Sequence, residues 1–341
     1  MKTLIAAIAV VMSAGASLAA DPATPLMRSG RMSAATMVSG PLPLDPNHAA
    51  WANAAPVTLM AYPQQMIAPG LENGAPIPVE MRVLANRKQL AVRLSWSDRS
   101  LNRHRNDKTD TFPDGAAIQF TRLSEHGSLP YIGMGETNRP VSIWFWREGN
   151  RPELLVAQGF GTLGPGRGNA PQVNSIWRDG AWNVIFIGPL PSSQSPLPLA
   201  IAIWDGQRQG RDGRKHATTW HLLRLPGRQE SKIAIAGLLR EASASGDIAR
   251  GKSLFHEHGC EGCHRLPNAE PVDIGPDLEF AGGDHWPGYL RRSIASPSDF
   301  IVPLAHYRDI TEQGRERSLM PKVDLSNRDV DDLVAYLASL K

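Results

Sequence analysis

The sequence predicts a mostly β N-terminal domain, an antiparallel β-sandwich, followed by a small all-α domain. Three observations predict it. Up to about residue 225 the chain breaks into eight or more short, alternating apolar runs punctuated by Gly and Pro, with almost no helical period. Near the other end, Ser326-Asn327-Arg328-Asp329 is a capping sequence. It opens a helix with Val330, Leu333, Val334, Leu337 and Leu340 on one face. Between these regions stand the only two cysteines, two apart, with a histidine directly after: Cys260-Glu261-Gly262-Cys263-His264. The 341 residues have room for two domains, and 28 Pro, 31 Gly and nine Trp suit a loop-rich β domain.

In chain order, residues 1–20 read as a secretory signal peptide: a basic start, an apolar run over 4–12, then Ser17-Leu18-Ala19-Ala20. The apolar run is too short to span a bilayer, and no later segment is long enough, so the mature chain is expected to be exported, periplasmic and without a membrane span. Residues 21–50 read as an extended N-terminal arm rich in Pro, Met, Ser and Ala. The sandwich occupies 51–228, with strands expected at 56–62, 79–85, 90–96, 115–120, 141–147, 154–158, 175–178, 182–187, 199–204 and 217–225. Turns fall at Asn86-Arg87-Lys88 and Arg178-Asp179-Gly180. No nucleophile motif, phosphate loop or cysteine lies in this domain. Residues 229–245 read as a linker, and 246–341 as the second domain, whose first helix opens at Asp247. A net charge of +3 without a basic run argues against nucleic acid as a partner.

Cys-x-x-Cys-His is the attachment signature of a c-type haem. Two thiols on one turn form thioethers with the two vinyl groups, and the adjacent His264 becomes the proximal iron ligand. There is no second cysteine pair for a four-thiolate zinc site or an iron–sulfur cluster. Of ten methionines only Met320 follows Cys263, which selects it by elimination as the sixth ligand; His285 and His306 are rivals. His256 and His258 are expected to be exposed. Two terminal helices flanking this motif in about 95 residues resemble a small class I cytochrome c, with Gly251, Phe255 and Tyr336 where its helices cross. The resemblance also implies that the Pro276 carbonyl, in Ile274-Gly275-Pro276-Asp277-Leu278, accepts a hydrogen bond from the proximal imidazole.

The sandwich resembles the haem b gamma subunits of ethylbenzene dehydrogenase and its molybdenum-enzyme relatives of the dimethylsulfoxide reductase family. Three stretches carry the resemblance: Asp114-Gly115-Ala116-Ala117-Ile118-Gln119-Phe120; Pro130-Tyr131-Ile132-Gly133-Met134-Gly135 with the following Pro140-Val141-Ser142-Ile143-Trp144-Phe145-Trp146; and Ala202-Ile203-Trp204-Asp205-Gly206 with Asp212-Gly213-Arg214-Lys215 and Trp220. It implies haem b ligation by a methionine and a lysine, which fall on Met134 and Lys215. His216 and His221 are nearby alternatives. The Pro/Gly stretch over 164–171 and the fused second domain depart from the family pattern.

These readings describe a periplasmic dihaem (b and c) electron-transfer protein, not itself an enzyme. By resemblance it serves a molybdenum catalytic subunit and an iron–sulfur subunit, with a soluble cytochrome or oxidase as the further electron partner. The alternative is a monohaem cytochrome c whose sandwich is a ligand- or carbohydrate-binding docking module. A third reading, a peroxidase-like enzyme, requires an open iron site.

Overall fold

The computed structural model describes residues 21–71, 74–103, 110–192, 194–270, 272, 274–302 and 307–341; the signal peptide reading and His306 lie outside them. The N-terminal domain contains, in chain order, β1 (Met32–Ala34), β2 (Thr36–Met37), β3 (Val57–Pro63), β4 (Ile77–Ala85), β5 (Gln89–Ser97), β6 (Gly115–Phe120), β7 (Val141–Arg147), β8 (Glu153–Ala157), β9 (Gly164–Pro165), β10 (Gln172–Arg178), β11 (Ala181–Pro189), β12 (Leu197–Trp204), β13 (His216–Ala217) and β14 (His221–Arg224). One layer runs β10-β11-β5-β4-β3, and the path continues through β13 into β12-β6-β7-β8-β9. The β10–β11 turn places Asp179 at φ 53° and Gly180 at φ 74°, the left-handed pair that a tight hairpin requires.

The two-residue period of the strands decides what each layer buries. In β6, β7 and β12 one set of alternating residues, Ile118, Phe120, Trp144, Trp146, Leu199 and Ile203 among them, enters the core shared with Val83, Val92, Leu94 and Trp182 of the other layer. The opposite set, Ala117, Gln119, Ile143, Phe145, Ala200 and Ala202, turns away from that core and lines a cavity. This layer is therefore apolar on both faces.

Two segments depart from the sequence expectation. Residues 21–50 are woven into the sandwich rather than free: β1 pairs in parallel with β14 and β2 with β4, while Leu26, Met32, Ala35 and Leu42 are buried. The predicted linker contains α2, numbered after the short α1 (Thr24–Arg28); α2 is Lys232–Glu241, capped by the Ser231 side chain. Its Ala234, Ile235 and Leu238 pack with Leu222 and Trp286, because their i, i+1, i+4 spacing makes an apolar stripe that the outer face of the sandwich covers.

His221 is buried, with Nε2 2.8 Å from Ser33 Oγ, and burial pushes its pKa down to about 4. A depressed histidine is neutral when folded but takes up a proton more readily when unfolded. Its stabilising contribution is therefore present above about pH 6.5 and is lost as the pH falls toward 4. Urea unfolding at pH 7 and pH 5 is expected to show a loss of about 2 kcal/mol that His221→Gln does not share. An equal loss in both proteins would contradict this role.

The second domain comprises α3 (Ile248–Glu257), α4 (Ala281–Asp284), α5 (Pro287–Ala295) and α6 (Asn327–Ser339). α6 begins with a full capping box of Ser326 and Asp329. It crosses α3 where Gly251 sits: a Cβ there would run into the Asp332 carbonyl oxygen. Phe255 meets Tyr336 edge-on at 5.8 Å, and Arg250 pairs with Asp329 and Asp332. The domain also has a hairpin, β15 (Arg308–Ile310) with β16 (Glu316–Ser318), which the all-α expectation omitted. Cross-strand pairs Arg308–Glu316 and Arg317–Asp309 hold it.

Candidate cofactor sites

The cavity on the outer face of β6, β7 and β12 measures about 620 Å³. That is the size of a pocket for a large cofactor. Its floor is low because Ala117, Ala202 and Ala217 are directly paired across three neighbouring strands. Ile143, Phe145, Phe160, Trp204 and Ile67 supply apolar walls. Such a slot, floored by small residues and mostly apolar, suits a macrocycle.

Met134 and Lys215 both line this cavity, brought from loops 81 residues apart in sequence. Met134 has φ 66°, a left-handed conformation that costs a side-chain-bearing residue roughly 1–2 kcal/mol. The surroundings enforce it: its N–H donates to the Ile132 carbonyl at 2.8 Å, and its carbonyl accepts from Gly159 N–H at 2.8 Å. Next to it, a Cβ at Gly133 would strike the Tyr131 and Phe160 rings.

Lys215 is half-buried, its Nζ 5.2 Å from the Trp204 ring centre. Desolvation pushes its pKa down to about 8, against an opposing pull from Asp212. Free amine is thus accessible near neutral pH, which is what ligation by lysine demands. Its loop is fixed by the buried Gln64, whose Nε2 donates to the Gly213 and Ile67 carbonyls at 2.9 and 3.1 Å. Gln64 N–H also donates to the Lys215 carbonyl at 2.8 Å. No sequence motif signalled Gln64; only the register of β3 against β13 brings it there.

The alternative histidines lie elsewhere. His216 faces away from the cavity with Nε2 3.1 Å from the Ala75 carbonyl, and His221 contacts Ser33. His285 stacks on Tyr289 at 4.3 Å and on Tyr131 at 5.9 Å, at the boundary between the domains.

In the second domain, Gly259 ends α3 at φ 65° and turns the chain into the Cys260–Gly262 helical turn. Both thiols are half-buried and unpaired. His264 Nδ1 lies 2.8 Å from the Pro276 carbonyl. A carbonyl only accepts, so Nδ1 carries the proton and Nε2 keeps its lone pair. Burial disfavours the imidazolium, again leaving a neutral ring. The Pro276 loop is pinned by Gly275 N–H to the Cys263 carbonyl at 2.8 Å and by Arg265 to Asp277 and Glu279. Two thiols and a neutral imidazole on one turn fit covalent haem attachment. Met320 is half-buried just after β16, its N–H donating to Ser318 Oγ at 3.1 Å. His256 is exposed and 3.2 Å from Glu261; His258 is exposed.

The two halves pack through aromatic side chains. Tyr62 meets Phe280 at 5.6 Å, Tyr131 contacts Tyr289 and Phe300 at 5.3 and 5.1 Å, and Trp286 Nε1 donates to the Trp220 carbonyl at 2.9 Å.

Fold and sites define a class: a two-domain haem protein, with a macrocycle slot on a β-sandwich and a thioether attachment motif on a helical domain. Comparison with known proteins gives the family. The ethylbenzene dehydrogenase family model matches residues 48–172, and the cytochrome c model matches residues 248–341. Over 224 residues the chain is 33% identical to chlorate reductase subunit gamma of Ideonella dechloratans, covering 62% of this chain and 91% of that one. Over 139 residues it is 32% identical to dimethylsulfide dehydrogenase subunit gamma of Rhodovulum sulfidophilum, covering 36% and 51%. Among solved structures, a carbohydrate binding module family 9 from Caldicellulosiruptor kristjanssonii aligns with TM-score 0.39 and 9% identity, covering 59% of this chain and 96% of that one; a likeness this loose carries no argument. The chain belongs to the family of haem-bearing gamma subunits of ethylbenzene dehydrogenase-type oxidoreductases, with a cytochrome c domain fused to it. It is an electron-transfer subunit rather than a catalytic one, and its cofactors are haem b and covalent haem c. Among the described residues, no helix is long and apolar enough to cross a membrane.

Proposed function

We propose that the chain carries electrons in the periplasm between a molybdenum catalytic subunit with its iron–sulfur subunit and a soluble cytochrome or oxidase. Met134 and Lys215 hold the haem b iron; His264 and Met320 hold the haem c iron, with Cys260 and Cys263 as thioether anchors and Pro276 orienting His264. The observation that carries this reading is the cavity that joins a strained Met134 to a desolvated Lys215.

Haem would supply one-electron chemistry, and the protein's part would be to hold each iron through two side chains, Met134 with Lys215 and His264 with Met320, and to keep water out. A thioether ligand favours the reduced iron, whereas an amine or imidazole is a harder donor. From the cavity wall the aromatic contacts run into the second domain: Phe160 lies 5.9 Å from Tyr131, which contacts His285, Tyr289 and Phe300. A smaller cavity of about 100 Å³, lined by His285, Trp286 and Tyr289, adjoins this contact.

If each iron is held by its two proposed side chains, the spectrum of the reduced protein is expected to be unchanged by carbon monoxide. Met320→Ala opens one site, so its c-type bands are expected to shift with carbon monoxide, and its oxidised spectrum to lose the methionine-to-iron charge-transfer band. Persistence of that band removes Met320 from the ligand set. Partnership is tested by tagging the chain in its native host and measuring metals in the purified complex. About one molybdenum per chain is expected; its absence overturns the assignment of partners.

A further inference from the structure

Beside the cavity, and outside both haem sites, three carboxylates converge from three chain segments. Asp98 follows β5, Asp114 precedes β6 and Asp205 follows β12. One oxygen of each lies within 4.8 Å of the others. Asp98 is 7% exposed and Asp114 fully buried. Asp98 Oδ1 accepts from Ser100 N–H at 3.0 Å, but its buried Oδ2 has no hydrogen-bond partner. Asp114 is held rigidly: Oδ2 accepts from Asn102 N–H at 2.8 Å and Trp182 Nε1 at 3.2 Å, and Oδ1 from Gly206 N–H at 2.9 Å. Among the described residues, the only ion pair to the trio is Arg208 with Asp205, at 3.8 Å.

Three like charges drawn together, one of them with a buried oxygen that has no hydrogen-bond partner, are unfavourable unless a cation joins them. Burial raises the pKa of Asp98, and raises that of Asp114 to about 6, as expected for carboxylates lacking a counter-charge. We propose that Asp98, Asp114 and Asp205 form a binding site for a hard divalent cation of calcium's kind, at the foot of the loop that delivers Lys215. The donor set is all oxygen, with no nitrogen or sulfur ligand, which selects hard cations. Ser100 Oγ lies 3.4 Å from Asp98 Oδ1 and donates toward the side-chain oxygens of Asn102 and Gln207 at 2.8 and 3.0 Å, so neutral oxygens stand near Asp98. The cation ties the ends of β5 and β12, one from each layer, to the start of β6. It thereby fixes Asp205, next to the cavity residue Trp204.

The test uses the full-length, haem-loaded protein washed with chelator and titrated with calcium alone. Calorimetry is expected to find one site per chain, and the melting temperature to rise by about 5 °C or more at saturation. Asp98→Asn and Asp205→Asn are each expected to weaken calcium binding at least tenfold. Without calcium, Asp98→Asn should be as stable as the parent or more so, since it removes repulsion and keeps a side chain of the same shape. No heat and no melting shift in the parent at millimolar calcium would overturn the site. So would variants that respond to calcium as the parent does.

Discussion

Lys215→Ala is expected to lose haem b completely while keeping one covalent haem c per chain. On the floor of the cavity, paired alanines offer contact area but no ligand. In the proposed ligation, hold on the iron rests on Met134 and Lys215, and a thioether alone is a weak ligand. Lys215→Arg separates ligation from charge. It keeps a cation at the same place, yet a guanidinium stays protonated and offers no free amine, so it too is expected to lose haem b. A pyridine haemochrome assay referred to protein concentration reads both variants. Undiminished b-type absorbance in Lys215→Arg would refute lysine ligation, and a parent with only c-type absorbance would turn the sandwich into a docking module.

The second large effect is expected from replacing both Cys260 and Cys263 with Ser. Haem staining on a denaturing gel should vanish, because no thioether remains, while the b-type band stays. The helical domain should also lose much of its stability. Its buried cluster is small, ten residues centred on Leu254, Phe255, Leu333 and Val334, and a covalently held macrocycle adds a large apolar surface to it. Far-UV circular dichroism is expected to show the helical signal melting at a lower temperature than in the parent. Haem stain that survives the double substitution would contradict thioether attachment.

Much of the fold was legible in the sequence because its signals are local. Strands 115–120 and 141–147 were predicted where β6 and β7 lie, since alternation, aromatic residues and flanking Gly or Pro all agree. The α3–α6 crossing was legible through Gly251, Phe255 and Tyr336, the cap of α6 through Ser326 and Asp329. Two local readings missed. α2 was hidden by the small, polar tail after it, although Ser231 and the spacing of Ala234, Ile235 and Leu238 carried the signal. The arm looked aperiodic because its pairings, β1 with β14 and β2 with β4, are parallel and distant in sequence.

The covalent haem motif, Cys260-Glu261-Gly262-Cys263-His264, is readable from the residues alone, because attachment chemistry needs a fixed short spacing that no packing can replace. So are the residues that face each side of β6, β7 and β12, through their two-residue period. Folding alone brings Met134 and Lys215 to one cavity, sets Gln64 against the lysine loop, and draws Asp98, Asp114 and Asp205 together. Those groups lie tens of residues apart, and their meeting depends on strand register and on which layers stack. A one-residue slip would turn the alanine floor inward and dismantle the cavity while leaving the composition of every segment unchanged.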